Sequence, residues 1–148
     1  MRVSVCLLIG LLAGAAFGQA PRPPIGVGGI VCTFDGNGSA ITAGTKFDIK
    51  MPYAALIVGA SMLADRSGSA IVEIRKCTYA QYDAGSTHPA TGDKISASAP
   101  PTISSGTKSD DTTLTGWTTK FAKDDVIEFY VVSAATIRRL TIIIRTDR

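Results

Sequence analysis

Two stretches near the end of the chain decide the fold: VIEFYVV at 126–132 and RLTIIIR at 139–145. In both, every second side chain is apolar and most of those between are charged, polar or aromatic. Neighbouring residues of a β-strand point to opposite faces of a sheet, so this pattern predicts strands with one buried face. Glu128 and Tyr130 are then expected to point outward. The residues expected on the inner face are Ile127, Phe129, Val131, Leu140, Ile142 and Ile144.

Further strands are predicted upstream. KFDIKM at 46–51 alternates apolar and charged residues, and 30–34 is a short β run. Apolar runs at 55–63 and 70–77 predict two more strands, separated by a turn at Asp65-Arg66-Ser67-Gly68. These segments add the following residues to the expected core: Phe47, Ile49, Val72 and Ile74.

The middle of the chain is less regular. His88-Pro89 and Pro100-Pro101 predict an extended loop, and a strand is expected to resume at 112–119 around Trp117. About seven or eight short strands, with no convincing amphipathic helix, indicate an all-β fold. The sequence therefore predicts an antiparallel β-sandwich or jelly-roll-like domain.

The composition fits one domain with its own core. Of 148 residues, 45% are hydrophobic and 18% charged, and the formal net charge is +3. Gly, Ser, Thr and Ala are abundant, as in strands joined by turns. The weak and scattered positive charge argues against a nucleic-acid partner.

The first residues have the pattern of a secretory signal peptide. Arg2 precedes an apolar run at 5–16, and Ala16 and Gly18 provide the small residues of a cleavage site before Gln19. The run is shorter than the roughly 20 residues of a spanning helix, so stable membrane insertion is the less favoured alternative. The sequence predicts an exported protein located in the periplasm, on the cell surface or outside the cell.

The predicted organisation is a signal peptide at 1–18, a Pro/Gly linker at 19–28 and a β-sandwich domain at 29–148. The linker contains Pro21, Pro23 and Pro24, which exclude a helix.

Cys32 and Cys77 remain in the predicted exported chain. Two cysteines in an oxidising compartment suggest one disulfide. Strand alternation argues against it, because Cys32 lies on an inner face while Cys77 shares a face with Glu73 and Arg75, which are expected to point outward. Such side chains meet only where a bulge or strand end intervenes. The disulfide stays one of two possibilities.

No catalytic, metal or cofactor site is predicted. His88 is the single histidine and lies in a loop with no evident partner. The pairs Asp110-Asp111 and Asp124-Asp125 are sequence neighbours, which point apart in extended chain and suit turns better than catalysis. The stretch DGNGS at 35–39 has oxygens in a calcium-loop spacing, but a turn explains it better. The sequence therefore predicts a protein that is not an enzyme.

Aromatic residues are the candidate ligand contacts. Rings stack on the apolar faces of sugars, so Trp117, Tyr130 and Tyr82 are candidates for binding a carbohydrate. The alternative for Trp117 is a half-buried core position, as is usual for Trp in a strand.

A resemblance adds context. The chain resembles, in collinear order over roughly 29–146, a β-sandwich module at the ends of phage tail-fibre and other virion structural proteins, also present in small phage and bacterial proteins. The segments that carry it are DGNGSAI (35–41), MLADRSGS (62–69), VEIRKCTYA (72–80), ISASAPPTISS (95–105), TK (107–108), TLTGWTT (113–119), DDVIEFYVVSA (124–134) and TIRRLTIIIR (136–145). The resemblance implies the fold and a structural context rather than an activity. The predicted signal peptide is a difference from this family, because virion proteins seldom carry one.

Two functions follow as hypotheses. The first is a non-catalytic structural, assembly or adhesion module that binds copies of itself, a carrier or a virion protein. The alternative is a lectin-like exported domain that binds surface glycans. A self-assembling module should present an apolar patch or an open strand edge, and a lectin should present exposed rings beside carboxylates or amides.

Overall fold

The computed structural model describes residues 28–83 and 87–148, and this part of the chain is all-β. One antiparallel sheet of seven strands curls into a half-barrel, consistent with a β-sandwich-like domain. The expected signal peptide and linker lie outside the described residues, except Gly28, which already belongs to the first strand. The strands are β1 (Gly28–Asp35), β2 (Lys46–Lys50), β3 (Ala55–Cys77), β4 (Thr102–Asp111), β5 (Lys120–Phe121), β6 (Val126–Ala135) and β7 (Arg139–Asp147).

The long strand β3 organises the sheet, whose strand order is β1-β7-β3-β6-β2. Its first half pairs with β7, from Leu56 to Ala64, and its second half pairs with β6, from Ser69 to Cys77. The strands β4 and β5 also pair with β3. Strands β1 and β7 run antiparallel, with Gly28 opposite Thr146.

The predicted turn at Asp65-Arg66-Ser67-Gly68 is wrong, because β3 continues through it with a shift in register. The polar groups of this segment bond to the β6–β7 connection instead of closing a turn. Asp65 Oδ1 accepts hydrogen bonds from the backbone amides of Arg138 and Arg139, both at 3.0 Å. The Ser67 carbonyl accepts one from Thr136 Oγ1 at 2.9 Å. The segment is therefore held extended and bent.

The core lies on the inner face of the curled sheet and confirms most of the predicted positions. All of the following are at most 1% exposed: Val72, Ile74, Ile127, Phe129, Val131, Leu140, Ile142 and Ile144. Ile49 is half-buried and packs against the core. The prediction for Phe47 is wrong, since this side chain is 43% exposed. It faces Phe129 across the β2–β6 pair, but β2 ends the strand order and no other described strand pairs with it.

The middle of the chain also differs from expectation. The predicted strand at 112–119 is wrong: this segment is a loop, in which Leu114 and Gly116 have positive φ angles of 51° and 74°. The strand is β4, immediately upstream, in a region expected to be irregular. Its only buried side chain is Ile103, so no alternation of apolar residues marks it.

Candidate functional site

A row of charged side chains crosses the outer face of the sheet, the face opposite the hydrophobic core. Asp48 of β2 is the register partner of Glu128 of β6, and Glu128 is the partner of Arg75 of β3. A single bridge then pairs Arg75 with Lys94 in the segment after β3. These positions alternate with core residues, so the strand geometry that buries the apolar side chains brings the charges together.

Arg75 is the centre of this charged row. Its Nη1 donates to Glu128 Oε1 at 3.0 Å, and its Nε and Nη2 donate to Glu73 Oε2 at 3.1 and 2.9 Å. Its guanidinium lies 3.9 Å from the centre of the Tyr130 ring, a cation–π contact. The predicted exposure of these charges is wrong: Glu128 is 0% exposed, and Glu73 and Arg75 are below 10%.

The two glutamates of the row have opposite electrostatics. Burial raises the pKa of Glu128, although Lys46, with its Nζ 3.4 Å from Glu128 Oε2, and Arg75 lower it. Burial also raises the pKa of Glu73, but the hydrogen bonds from Lys94 and Arg75 outweigh it and leave this pKa below its usual value. The two glutamates thus differ in whether hydrogen bonds and ion pairs or burial has the larger effect on the pKa.

Tyrosines in the segment after β3 lie over the edge of the row. Tyr82 donates its hydroxyl to Asp48 Oδ2 at 3.1 Å, which raises the pKa of Tyr82. Lys50 Nζ lies 4.0 Å from the centre of the Tyr79 ring, which is 59% exposed. Asp48 Oδ1 is buried and has no hydrogen-bond partner among the described residues.

The three predicted ligand residues do not form one site. Tyr82 and Tyr130 both lie at the charged row. Trp117 packs in the hydrophobic core, and its indole Nε1 donates to the Ala99 carbonyl at 2.9 Å. Trp117 is therefore a core residue, which was the alternative interpretation of this position. Tyr79 is the ring of this face that is most open to a ligand.

Cys32 and Cys77 are both free thiols in the structure, and both are buried. Cys32 belongs to the hydrophobic core, and Cys77 shares its strand face with Glu73 and Arg75, as predicted. The expected exposure of Cys77 is wrong, because it is only 4% exposed. Burial raises the pKa of Cys32 to about 11, and burial together with nearby aspartates also raises that of Cys77. Neither thiol is activated for chemistry.

The remaining titratable residues of interest bond locally. Sequence reasoning missed the partner of His88, whose Nδ1 lies 2.8 Å from Asp93 Oδ2 in the same loop. Asp35 Oδ1 accepts the backbone amide of Asn37 at 2.8 Å, the bond of an Asx turn. In the part of the chain that the structure describes, no three His, Cys, Asp or Glu side chains come together as metal ligands.

A second surface of interest lies on the outer face at β1. Across the sheet, Val31 pairs with Ile143, and Thr33 pairs with Thr141, which in turn pairs with Leu63. Val31 is 59% and Leu63 50% exposed, while Ile143 is half-buried. The two threonine hydroxyls are 3.1 Å apart. These five residues are called the β1 surface below.

An open groove of about 350 Å³ lies elsewhere, at the ends of β3, β5 and β7. Its lining includes the apolar Leu56 and Phe121 and the charged Lys120, Asp147 and Arg148. None of the residues predicted to bind a ligand lines it.

Comparison with known proteins gives no functional relative, because no protein-family model and no curated protein matches the chain. Within residues 28–83 and 87–148, no helix is long and apolar enough to span a membrane.

Proposed function

We propose that the protein is a non-catalytic structural module that binds copies of itself through β1. The observation that carries the proposal is the character of this strand. It ends the sheet order of the described chain, and the sequence GGIVCTF at 28–34 has no charge and no proline. Charged side chains and proline normally keep an edge strand from pairing with other strands, so an edge that lacks both can pair with another strand.

The strand at the other end of the strand order, β2, supports the contrast. The strand β2 is five residues long and carries Lys46, Asp48 and Lys50 on its outer face. Short length and charged side chains are the usual protection of an edge strand. The β1 edge carries the exposed apolar side chain Val31 on its outer face, whereas the exposed apolar residue of β2, Phe47, lies between the charged residues Lys46 and Asp48.

The proposed context is an exported appendage, adhesion or virion-like assembly. It rests on the signal-peptide pattern at 1–18 and on the resemblance to virion modules. The charged row is a structural part of this module, because its Arg and Glu side chains bond to one another and are closed to solvent.

Self-association is tested by measuring the mass of the native chain by light scattering over a wide concentration range. We expect an oligomer, and we expect Val31→Lys to weaken it by about tenfold or more. Val132→Lys is the matched control, since Val132 is an exposed valine on β6, away from β1. A native chain that is monomeric at all concentrations would contradict the proposal.

Carbohydrate binding is the second candidate function. It is favoured by the exposed Tyr79 ring beside Lys50 and by the Tyr82–Asp48 pair, since rings and carboxylates are the groups that hold sugars. The test is a glycan array with the native chain and Tyr79→Ala. Binding that Tyr79→Ala abolishes supports this candidate, while binding that it leaves unchanged would show that the Tyr79 ring does not contact the sugar.

A further inference from the structure

We infer that two copies of the chain pair through β1 as an antiparallel two-fold dimer centred on Cys32. The inference rests on the proposed function and specifies its partner and geometry. It follows from three features of β1: which backbone groups face its open edge, how charge is placed along it, and how the strand overlaps with itself.

The backbone groups on the open edge belong to alternate residues. Gly36 N donates to the Arg138 carbonyl at 2.7 Å and continues the β1–β7 register. In an antiparallel ladder, alternate residues direct both N–H and C=O to the same neighbour. Even-numbered residues of β1 therefore bond to β7, and the odd-numbered ones present their groups on the open edge. Those residues are Gly29, Val31, Thr33 and Asp35.

A two-fold axis at Cys32 places these four residues of one copy opposite the same four residues of the second copy, in reverse order. It places Gly29 opposite Asp35 of the second copy and Val31 opposite Thr33, so every opposed pair can exchange both hydrogen bonds. The whole length of β1 is used. On the outer face, the two β1 surfaces become continuous and cover the exposed side of Val31.

Charge favours the antiparallel arrangement. Asp35 is the only charged residue of β1, and a parallel pair would set the two Asp35 carboxylates side by side. The antiparallel pair separates them by about 20 Å, at about 3.4 Å per residue. It also sets Asp35 beside Gly29 of the second copy, which has no side chain.

The dimer is closed. A two-fold pair uses the β1 edge of both copies, and the strand edges that stay unpaired in the described chain, those of β2, β4 and β5, carry charged residues. Pairing of β1 with β2 of another copy would instead oppose strands of unequal length, eight residues against five.

Engineered disulfides test the register. Gly29→Cys and Asp35→Cys are prepared separately and then mixed, and linked peptides are identified by mass spectrometry after mild oxidation. We expect the mixture to give a 29–35 link between copies, because opposed residues lie within disulfide reach. Each variant alone should give none, since the two copies of either residue are about 20 Å apart. The native chain, whose thiols are buried, is the control.

Each result is decisive. A link formed by Asp35→Cys alone would show parallel pairing and overturn the inference. An oligomer of the native chain without the 29–35 link would overturn the inference while leaving self-association intact. A monomeric native chain would overturn both, and if the Gly29→Cys thiol also resisted alkylation, another segment of the same chain would be the occupant of the edge.

Discussion

Arg75 Nη1 and Glu128 Oε1 are joined by a 3.0 Å hydrogen bond between neighbouring strands, on the face of the sheet turned away from the hydrophobic core. Arg75 is 8% exposed and Glu128 is 0% exposed. Breaking a buried ion pair leaves the remaining charge without compensation, whereas an exposed pair contributes little.

Arg75→Ala should therefore lower the free energy of unfolding by about 3–5 kcal/mol, because it leaves Glu128 and Glu73 without their guanidinium. The exposed pair of Lys50 and Asp124, with 3.1 Å between Nζ and Oδ1, provides the control. Lys50→Ala should cost about 0–1 kcal/mol. Urea denaturation measures both. Equal losses would show that the charged row is as well solvated as the exposed pair.

The two phenylalanines that face each other across β2 and β6 should differ in their contribution to stability. Phe129 is 0% exposed, so Phe129→Ala should cost about 3–5 kcal/mol through lost burial and the cavity left behind. Phe47 is 43% exposed, and Phe47→Ala should cost about 1 kcal/mol, since less apolar area returns to water. Urea unfolding of both variants tests this. A loss at Phe47 that matches Phe129 in a dilute monomer would mean that β2 is covered in solution.

Stability should fall in acid partly through Asp65. Its pKa is about 2, chiefly because the Arg139 amide donates to it, with further hydrogen bonds from Arg66 and Arg138. An aspartate in an unfolded chain has a pKa of about 3.9, so the contribution is complete above that pH and disappears as the pH falls through about 2. Asp65→Asn should be less stable than the native chain at pH 7, with a gap that closes near pH 2. Urea midpoints across this range measure the gap. A gap that stays constant with pH would show that ionisation of Asp65 is not the cause.

Gly36 should tolerate no side chain. A Cβ there would lie 2.1 Å from the Ser39 carbonyl oxygen and 3.1 Å from Ile41 N, and both are backbone atoms that cannot move alone. Gly36→Ala should cost about 1–3 kcal/mol, as overpacking does. Gly92 is the control, because a Cβ there meets nothing within 4 Å. Gly92→Ala should change stability by about 0.5 kcal/mol or less. Thermal unfolding that ranks the two alike would contradict the close contact.

The inner face could be predicted from sequence because one physical rule decides it. In β6 and β7, alternation requires Phe129 and Ile142 to share a face with other apolar residues, and that face must be buried. The rule does not say which strand lies at an end of the sheet. Phe47 has the same local pattern as Phe129 but lies on an edge strand, and only the strand order distinguishes them.

The outer face could not be predicted in the same way. A charged residue in an alternating strand usually points to water, and Glu128 gives no local signal to the contrary. Its burial depends on Arg75, 53 positions away, and on Lys46. The strand β4 was missed for a related reason: the long neighbour β3 holds its backbone in place, and only Ile103 needs to reach the core.

The pairing of Gly28 with Thr146 brings the two ends of the domain together, about 5 Å apart across neighbouring strands. A domain of this kind can be inserted into a loop of a host protein without forcing the sides of that loop apart. Its opposite end, at Asp35 and Arg139, then projects from the host by the length of β1, about 24 Å. In the antiparallel pair proposed above, the two points of attachment face in opposite directions. Such a pair would act as a bridge between two hosts rather than as a cap on one.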